Sequence, residues 1–279
     1  MDPFESMMVA KPRRATATQS SSRAGLVVAL PPPSLDLPAP LDRDPFWRAA
    51  RDGVERDTVV LPEVWSAADG ALAAGGHDLS GDALARTWED FAAGRVTLAG
   101  EGGDGDRAKI IAQVRYTARA LAPLQASIAL RVLRGDQQKF IAGELEVSSS
   151  TVSSNFASAR IKLGLVRRAV PLPLVLAALT HAGIARIPRA RRALFEQRDD
   201  FWLVVSVPRP AMDTLVALSE AEREVGGALI EGRSRTEIAR LRSTSHHTVA
   251  SQCGAIFCTL GATGRYLLIR RAAELQCFR

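Results

Sequence analysis

Cysteine occurs only three times in 279 residues, at Cys253, Cys258 and Cys277. An odd number clustered near the C-terminus excludes a disulfide framework and points to a reducing, cytoplasmic setting. Long apolar runs are missing too. The nearest to a membrane span, VPLPLVLAALTHAGIA at 170–185, carries two prolines and falls short of the roughly 18 to 20 residues that a span needs. Near the N-terminus KPRR precedes AGLVVAL, but those seven apolar residues run into PPP and are too few for a secretory signal. Aromatic residues make up 5% of the chain, so Trp47, Trp65 and Trp88 are expected to anchor the core rather than cage a ligand. There is no nucleophile elbow and no glycine-rich loop ending in Lys-Ser/Thr. GEGGDG at 100–105 has the glycines, but its two acids fit a hairpin turn better than a phosphate cradle. His77 and His181 stand alone in the sequence. Together these absences argue against an enzyme and against any cofactor.

The chain does contain an excess of 36 Lys and Arg over 30 Asp and Glu, a net charge of +6 that suits an anionic partner without demanding one. Residues 1–43 are first Ser-rich (TATQSSSR) and then Pro-rich (LPPPSLDLPAPL). They have too little apolar surface to bury, so a disordered tail is expected, with folded structure beginning near Asp44. With a 47% hydrophobic composition, the 279-residue chain can bury one or two substantial cores, and its length suggests two domains.

SHHTVASQCGAIFCTLGATGR at 245–265 places two histidines upstream of two cysteines and raises the question of a metal. The segment predicts a helix opening at Ser245 and closing at Gly261. On such a helix His246 and Cys253 are about 10 Å apart along the axis, and Cys253 and Cys258 diverge by roughly 140°. Zinc binds at about 2 Å, so these residues cannot share an ion while the helix is intact. The cysteines therefore read as small buried apolar side chains.

The histidines are explained by an internal repeat. Residues 121–165 and 218–262 align without a gap at an offset of 97, the distance from Gly135 to Gly232. The pairs Ile141/Ile238, Ala142/Ala239, Ser148/Ser245, Thr151/Thr248, Val152/Val249, Ser154/Ser251, Leu163/Leu260 and Gly164/Gly261 are identical. Each copy predicts a helix ending at the first glycine, a short helix, a turn, and a Ser-started helix ending at the second glycine. Val152, Phe156, Ala159 and Leu163, like Val249, Cys253, Ile256 and Leu260, recur at helical spacing and form one buried stripe with a polar face opposite. Two short helices joined by a tight turn, the second polar outside, make a helix-turn-helix. A β-leaning pair of segments precedes each copy, at 95–114 and 192–208.

The second copy resembles the LuxR-type helix-turn-helix domain of bacterial transcription regulators. Leu218, Glu222, Val225, Gly232, Glu237, Ile238, Ala239, Ser245, Thr248, Val249, Ile256, Leu260 and Gly261 fall on that pattern. The first copy keeps Lys139, Ile141, Ala142, Leu145, Ser148, Thr151, Val152, Lys162, Leu163 and Gly164, with Gln125 and Phe140 where acids are usual. Residues 1–90 match no family pattern. The resemblance implies that the Ser-started helix is the recognition helix. Ser149, Ser150, Thr151, Ser153, Ser154 and Asn155 would then face a DNA groove, as would His246, His247, Thr248, Ala250, Ser251 and Gln252. Lys139, Arg160, Lys162, Arg235, Thr236 and Arg265 complete the candidate DNA-binding set. The imidazoles would donate to phosphates or base edges. In one respect the chain departs from the family: Ser153 and Ala250 stand where a Lys or Arg is usual soon after Thr-Val, and Cys258 and Thr259 replace the cations before Leu-Gly. Since cations supply most non-specific affinity, Arg160, Lys162, Arg167, Arg168, Arg235, Arg265, Arg270 and Arg271 are the candidates to compensate.

The expected fold is mainly α with short β-hairpins, in two repeated modules, each a β-hairpin followed by a four-helix LuxR-type helix-turn-helix head. A helical segment occupies 44–94, the first module 95–185 and the second 186–279. The expected function is a DNA-binding transcription regulator with two unlike heads, acting at the nucleoid, with RNA polymerase a candidate further partner. Two alternatives stand beside it. The helix-turn-helix units could have lost DNA binding and now pair with protein, as their neutral recognition helices and the apolar stretch 172–179 suggest. Or the chain is a sigma-factor-like promoter reader, since TVSSNFASARIKL also resembles the last helix of that fold, although no aromatic-rich melting helix lies upstream. The amphipathic segment GRYLLIRRAAEL at 264–275 is expected to pair two chains into a homo-oligomer through Leu267, Leu268 and Leu275.

Overall fold

Two strands of the chain are apolar along their whole central length, and such strands need cover on both faces. In the computed structural model, which describes residues 62–75, 81–115, 119–165 and 169–278, they lie side by side. Strand β1 (Val96–Asp104) turns at Gly105 and Asp106 into β2 (Arg107–Val114). Strand β3 (Arg191–Gln197) turns through Arg198 and Asp199, both with positive φ, into β4 (Asp200–Pro208). All pairs are antiparallel and the order is β1-β2-β4-β3, with Ile111 opposite Val204 midway along the central β2-β4 pair.

Each face of the sheet has its own helices. On one, α1 (Pro62–Gly75) lays Val64, Ala68 and Leu72, one per turn, over Ile111 and Val204, with Trp65, Ala193, Phe195 and Trp202 around them. Lys109 Nζ donates to Asp69 at 2.7 Å and is thereby held against this face. The other face is covered by α6 (Leu172–His181), in which every residue from Leu172 to Leu179 is buried. A helix apolar all round belongs inside a core. Beside it runs α2 (Gly81–Ala92), burying Leu84, Trp88 and Phe91 in the same cluster. Trp65 and Trp88 thus both sit in apolar clusters, while Trp47, His77 and the expected tail over 1–43 lie outside the described residues.

The rest of the chain is helical. The first copy of the repeat supplies α3 (Pro123–Leu133), α4 (Gln138–Glu144) and α5 (Ser149–Lys162). The second supplies α7 (Glu220–Ile230), α8 (Arg235–Leu241) and α9 (His246–Thr259), and α10 (Arg265–Glu274) follows.

This corrects the architecture expected from sequence. The protein is mixed α/β around a single four-stranded antiparallel sheet, and does not consist of two modules each carrying its own hairpin and four-helix head. The hairpins fuse because one alone is marginal in water, and pairing β2 with β4 buries Ile110, Ile111, Val204 and Val205 completely. The last helix of each supposed head is likewise shared. Helix α6 serves the sheet, and α10 packs on both α7 and α3. At the end of α3, Gly135 has φ 88°, and a Cβ there would lie 2.6 Å from Leu267 Cα of α10. Only glycine allows that approach.

Helix α10 also departs from expectation. Leu268, Ile269, Ala272 and Ala273 are buried inside the chain and Leu267 lies against Gly135, so the helix itself exposes no large apolar residue, and Leu275, its C-cap, is the exposed leucine. The stripe expected to join two chains is already consumed by α3, α6 and α7.

Candidate nucleic-acid interface

Each trio of helices is built around apolar residues that recur between the copies. Ile128, Val132, Ile141, Ala142 and Val152 form the first cluster, with Phe156 edge-on to Tyr266 at 6.5 Å between ring centroids. In the second copy Val225, Leu229, Ile230, Ile238, Ala239, Val249, Cys253 and Ile256 are buried. These contacts fix the inner face of α5 and α9 and leave the opposite face to solvent.

Both of these helices begin the same way. Ser148 Oγ accepts from Thr151 N–H at 3.0 Å, and Ser245 Oγ accepts from Thr248 N–H at 3.0 Å. Each cap satisfies one of the amides that a helix start leaves without a partner. The helices that precede them differ. In the second copy Ser219 with Glu222 opens α7, and Ser234 with Glu237 opens α8, as reciprocal capping boxes. Hydrogen bonds from Ser219 and Ser234 hold both carboxyls below the ordinary glutamate range. In the first copy Gln137 stands in place of Ser234 and the exposed Phe140 in place of Glu237, so α4 starts without a side-chain cap and without the reciprocal carboxylate.

Ser149, Ser150, Ser153 and Ser154 are exposed on α5, as are His246, His247, Thr248 and Ser251 on α9. Thr151, Asn155, Ala250 and Gln252 are half-buried beside them. Several of these polar groups are already used within the chain. Ser153 Oγ donates to Gln138 Oε1 at 2.9 Å, Ser154 Oγ to the Thr151 carbonyl at 3.1 Å, and Asn155 Nδ2 to the same carbonyl at 2.9 Å. Gln252 Oε1 accepts from Arg242, whose guanidinium also pairs with Glu224 at 3.1 Å. Gln138 and Arg242 thus position side chains of α5 and α9. Sequence periodicity does not flag them, because each contact joins two different helices.

The cations divide more sharply. Lys139 on α4 and Arg235, with Thr236, on α8 are exposed. Lys162 Nζ donates to the Ala120 carbonyl at 3.1 Å, and Arg160 is turned toward the Leu165 carbonyl at 3.4 Å. Arg270 and Arg271 both pair with Glu274 at 2.7 Å, while Arg167 and Arg168 lie outside the described residues. Arg265 is withdrawn from the expected DNA-contact set. It donates Nε to the Leu229 carbonyl at 2.9 Å, Nη1 to Val170 at 2.7 Å and Nη2 to Ile230 at 2.9 Å, and burial lowers its pKa. It caps the C-terminal end of α7, where the helix dipole favours a cation.

His246 and His247 occupy the exposed first turn of α9, while Cys253 is buried nearly two turns further along and Cys258 is exposed. The helix holds these side chains apart.

No family model, no curated protein and no solved structure matches this chain.

Proposed function

We propose that the protein binds double-stranded DNA through α5 and α9 and acts as a transcription regulator with two unlike heads. The observation that supports this best is the recurrence, at one offset, of a three-helix unit whose last helix is capped by serine and exposes its polar first turn. A helix N-terminus offers free amides and positive potential to phosphate, and the next exposed side chains are those that reach base edges. Ser149, Ser150, Ser153 and Asn155 differ from His246, His247, Ala250 and Gln252, so the heads would select unlike elements. In this reading the protein works in the cytoplasm at the nucleoid, with RNA polymerase a further partner. Among the described residues no helix is long and apolar enough to cross a membrane.

The second reading, a protein-pairing module, draws on a specific observation: α9 has no Lys or Arg along its length, and α5 has them only in its last turn. A mobility-shift assay at two salt concentrations separates the two, since binding that displaces counterions weakens steeply as salt rises. The informative variants are Ser149→Glu with Ser150→Glu, and His246→Glu with His247→Glu. An acid in the first turn stabilises a helix but repels phosphate, so lost binding cannot be blamed on unfolding. Footprints that lose different parts of the protected site support two working heads. Binding that resists salt and both double substitutions refutes the DNA reading and favours protein pairing.

A further inference from the structure

The sheet has two edges, and they are not alike. At β1 the register shifts between Leu98 and Gly100, and Leu98 N–H donates to the Leu163 carbonyl at 3.2 Å. That edge is bent and covered. Edge β3 pairs with β4 in unbroken register from Arg191 to Gln197 and contains no proline. Among the described residues no backbone–backbone hydrogen bond from outside the hairpin reaches Arg192, Leu194 or Glu196. A straight, open edge of this kind is a template for another strand.

Which groups are open follows from the turn. A two-residue turn with positive φ at Arg198 and Asp199 closes on a hydrogen-bonded Gln197–Asp200 pair. Bonding alternates along an antiparallel ladder, so Phe195, Ala193 and Arg191 also face β4. The backbone N–H and C=O of Glu196, Leu194 and Arg192 point away from the sheet. The same three residues carry their side chains on the face opposite α1, because Ala193 and Phe195 are the ones packed against that helix. Leu194 is 65% exposed there, diagonal to Phe201 on β4, which is 43% exposed.

We propose that β3 pairs antiparallel with β3 of a second copy about a two-fold axis through Leu194, joining the two sheets into one. The occupant follows from the strand's own charges. With Leu194 opposite itself, Arg192, whose guanidinium is already paired with Asp90 of α2, faces Glu196 on both sides of the axis, and Ala193 faces Phe195. The backbone groups that meet are those that point outward. Moving the axis to Arg192 or Glu196 sets like charges against each other, which destabilises a cross-strand pair. Moving it by one residue still joins outward-pointing groups but sets Leu194 against Arg192 or Glu196 and loses the pairing of opposite charges. The contact is isologous and closes at two copies, because among the described residues each copy has one such edge. It replaces the C-terminal helix, whose apolar face is buried, as the route to self-association.

Sedimentation equilibrium on the full chain without DNA tests this, over a range of concentrations reaching about 100 µM. The expected result is a mass of two chains for the wild type and of one chain for Leu194→Lys, with far-UV circular dichroism unchanged. A positive test uses Leu194→Cys in a Cys258→Ser background. Across a hydrogen-bonded pair the Cα atoms are about 5.5 Å apart, within disulfide reach, so mild oxidation should join identical positions of two chains. A wild type that stays monomeric overturns the proposal. So does a folded Leu194→Lys variant that keeps its dimer, or a Leu194→Cys dimer that fails to cross-link. A dimer lost on Leu275→Glu and retained in Leu194→Lys would return self-association to α10.

Discussion

Replacing Arg265 with methionine separates a DNA contact from a structural clamp. Its three donors reach the last carbonyls of α7 and the Val170 carbonyl just before α6, at 2.7–2.9 Å, so one guanidinium ties the second helical unit to the helix beneath the sheet. Hydrogen bonds to a charged group contribute about 1.5–3 kcal/mol each. Against this, returning the guanidinium to water on unfolding recovers several kcal/mol of desolvation. The net expected loss for Arg265→Met is about 2–4 kcal/mol. With a urea m-value of about 3 kcal/mol per molar, the unfolding midpoint should fall by roughly 1 M. Arg265→Lys keeps the charge but not the planar fork and should lose about half as much. The assay is urea unfolding followed by circular dichroism, paired with DNA binding at a urea-free concentration where both proteins are folded. The clamp predicts a large midpoint shift with affinity unchanged. A stability within about 0.5 kcal/mol of wild type, together with weakened DNA binding, would refute it and restore Arg265 to the interface.

Two glycines with similar backbones should respond differently to alanine. At Gly261 (φ 58°) a Cβ meets nothing within 4 Å, so thermal melting should show only the left-handed penalty of about 1–2 kcal/mol. At Gly135 the same change drives a Cβ into Leu267 Cα and should cost clearly more, by forcing α10 away from α3. Ile111→Ala at the centre of the sheet should lose about 2–5 kcal/mol by calorimetry, because α1 and its neighbours cannot collapse onto the gap. The acid limb of stability should carry the mark of Glu222 and Glu237, whose pKa values are lowered on folding. Their contribution is full above the ordinary glutamate value and lost as pH falls through the depressed one, so Glu222→Gln with Glu237→Gln should flatten that limb in pH-dependent unfolding.

Much of the helical part is legible in local signals. Ser148 and Ser245 announce helix starts, Gly135 and Gly232 announce ends, and Val152 with Ala159, or Val249 with Cys253 and Ile256, mark the inner face. Both strand pairs also appear where composition places them, at Val96–Val114 and Arg191–Pro208. The exposed serines and histidines of the candidate interface follow from the same periodicity, since a residue opposite a buried stripe faces outward.

What the linear pattern cannot show is which surfaces meet. A hairpin reads the same whether its open edge faces water or another strand, and only the assembled chain brings Ile111 against Val204, 93 positions later. An amphipathic helix reads the same whether its stripe packs inside or joins a second copy. Helix α10 packs inside because α3, α6 and α7 converge on it. Arg265 looks like a surface cation until Val170, 95 residues away, comes within 2.7 Å of it. Sequence by itself determined the repeat and, within each copy, the Ser-capped helix starts and the polar faces, since caps and faces depend on residues within a few turns of one another. The tertiary structure decided the single sheet, the buried C-terminal helix and the open β3 edge, because burial and hydrogen-bond partnership at those places are set by segments far apart along the chain.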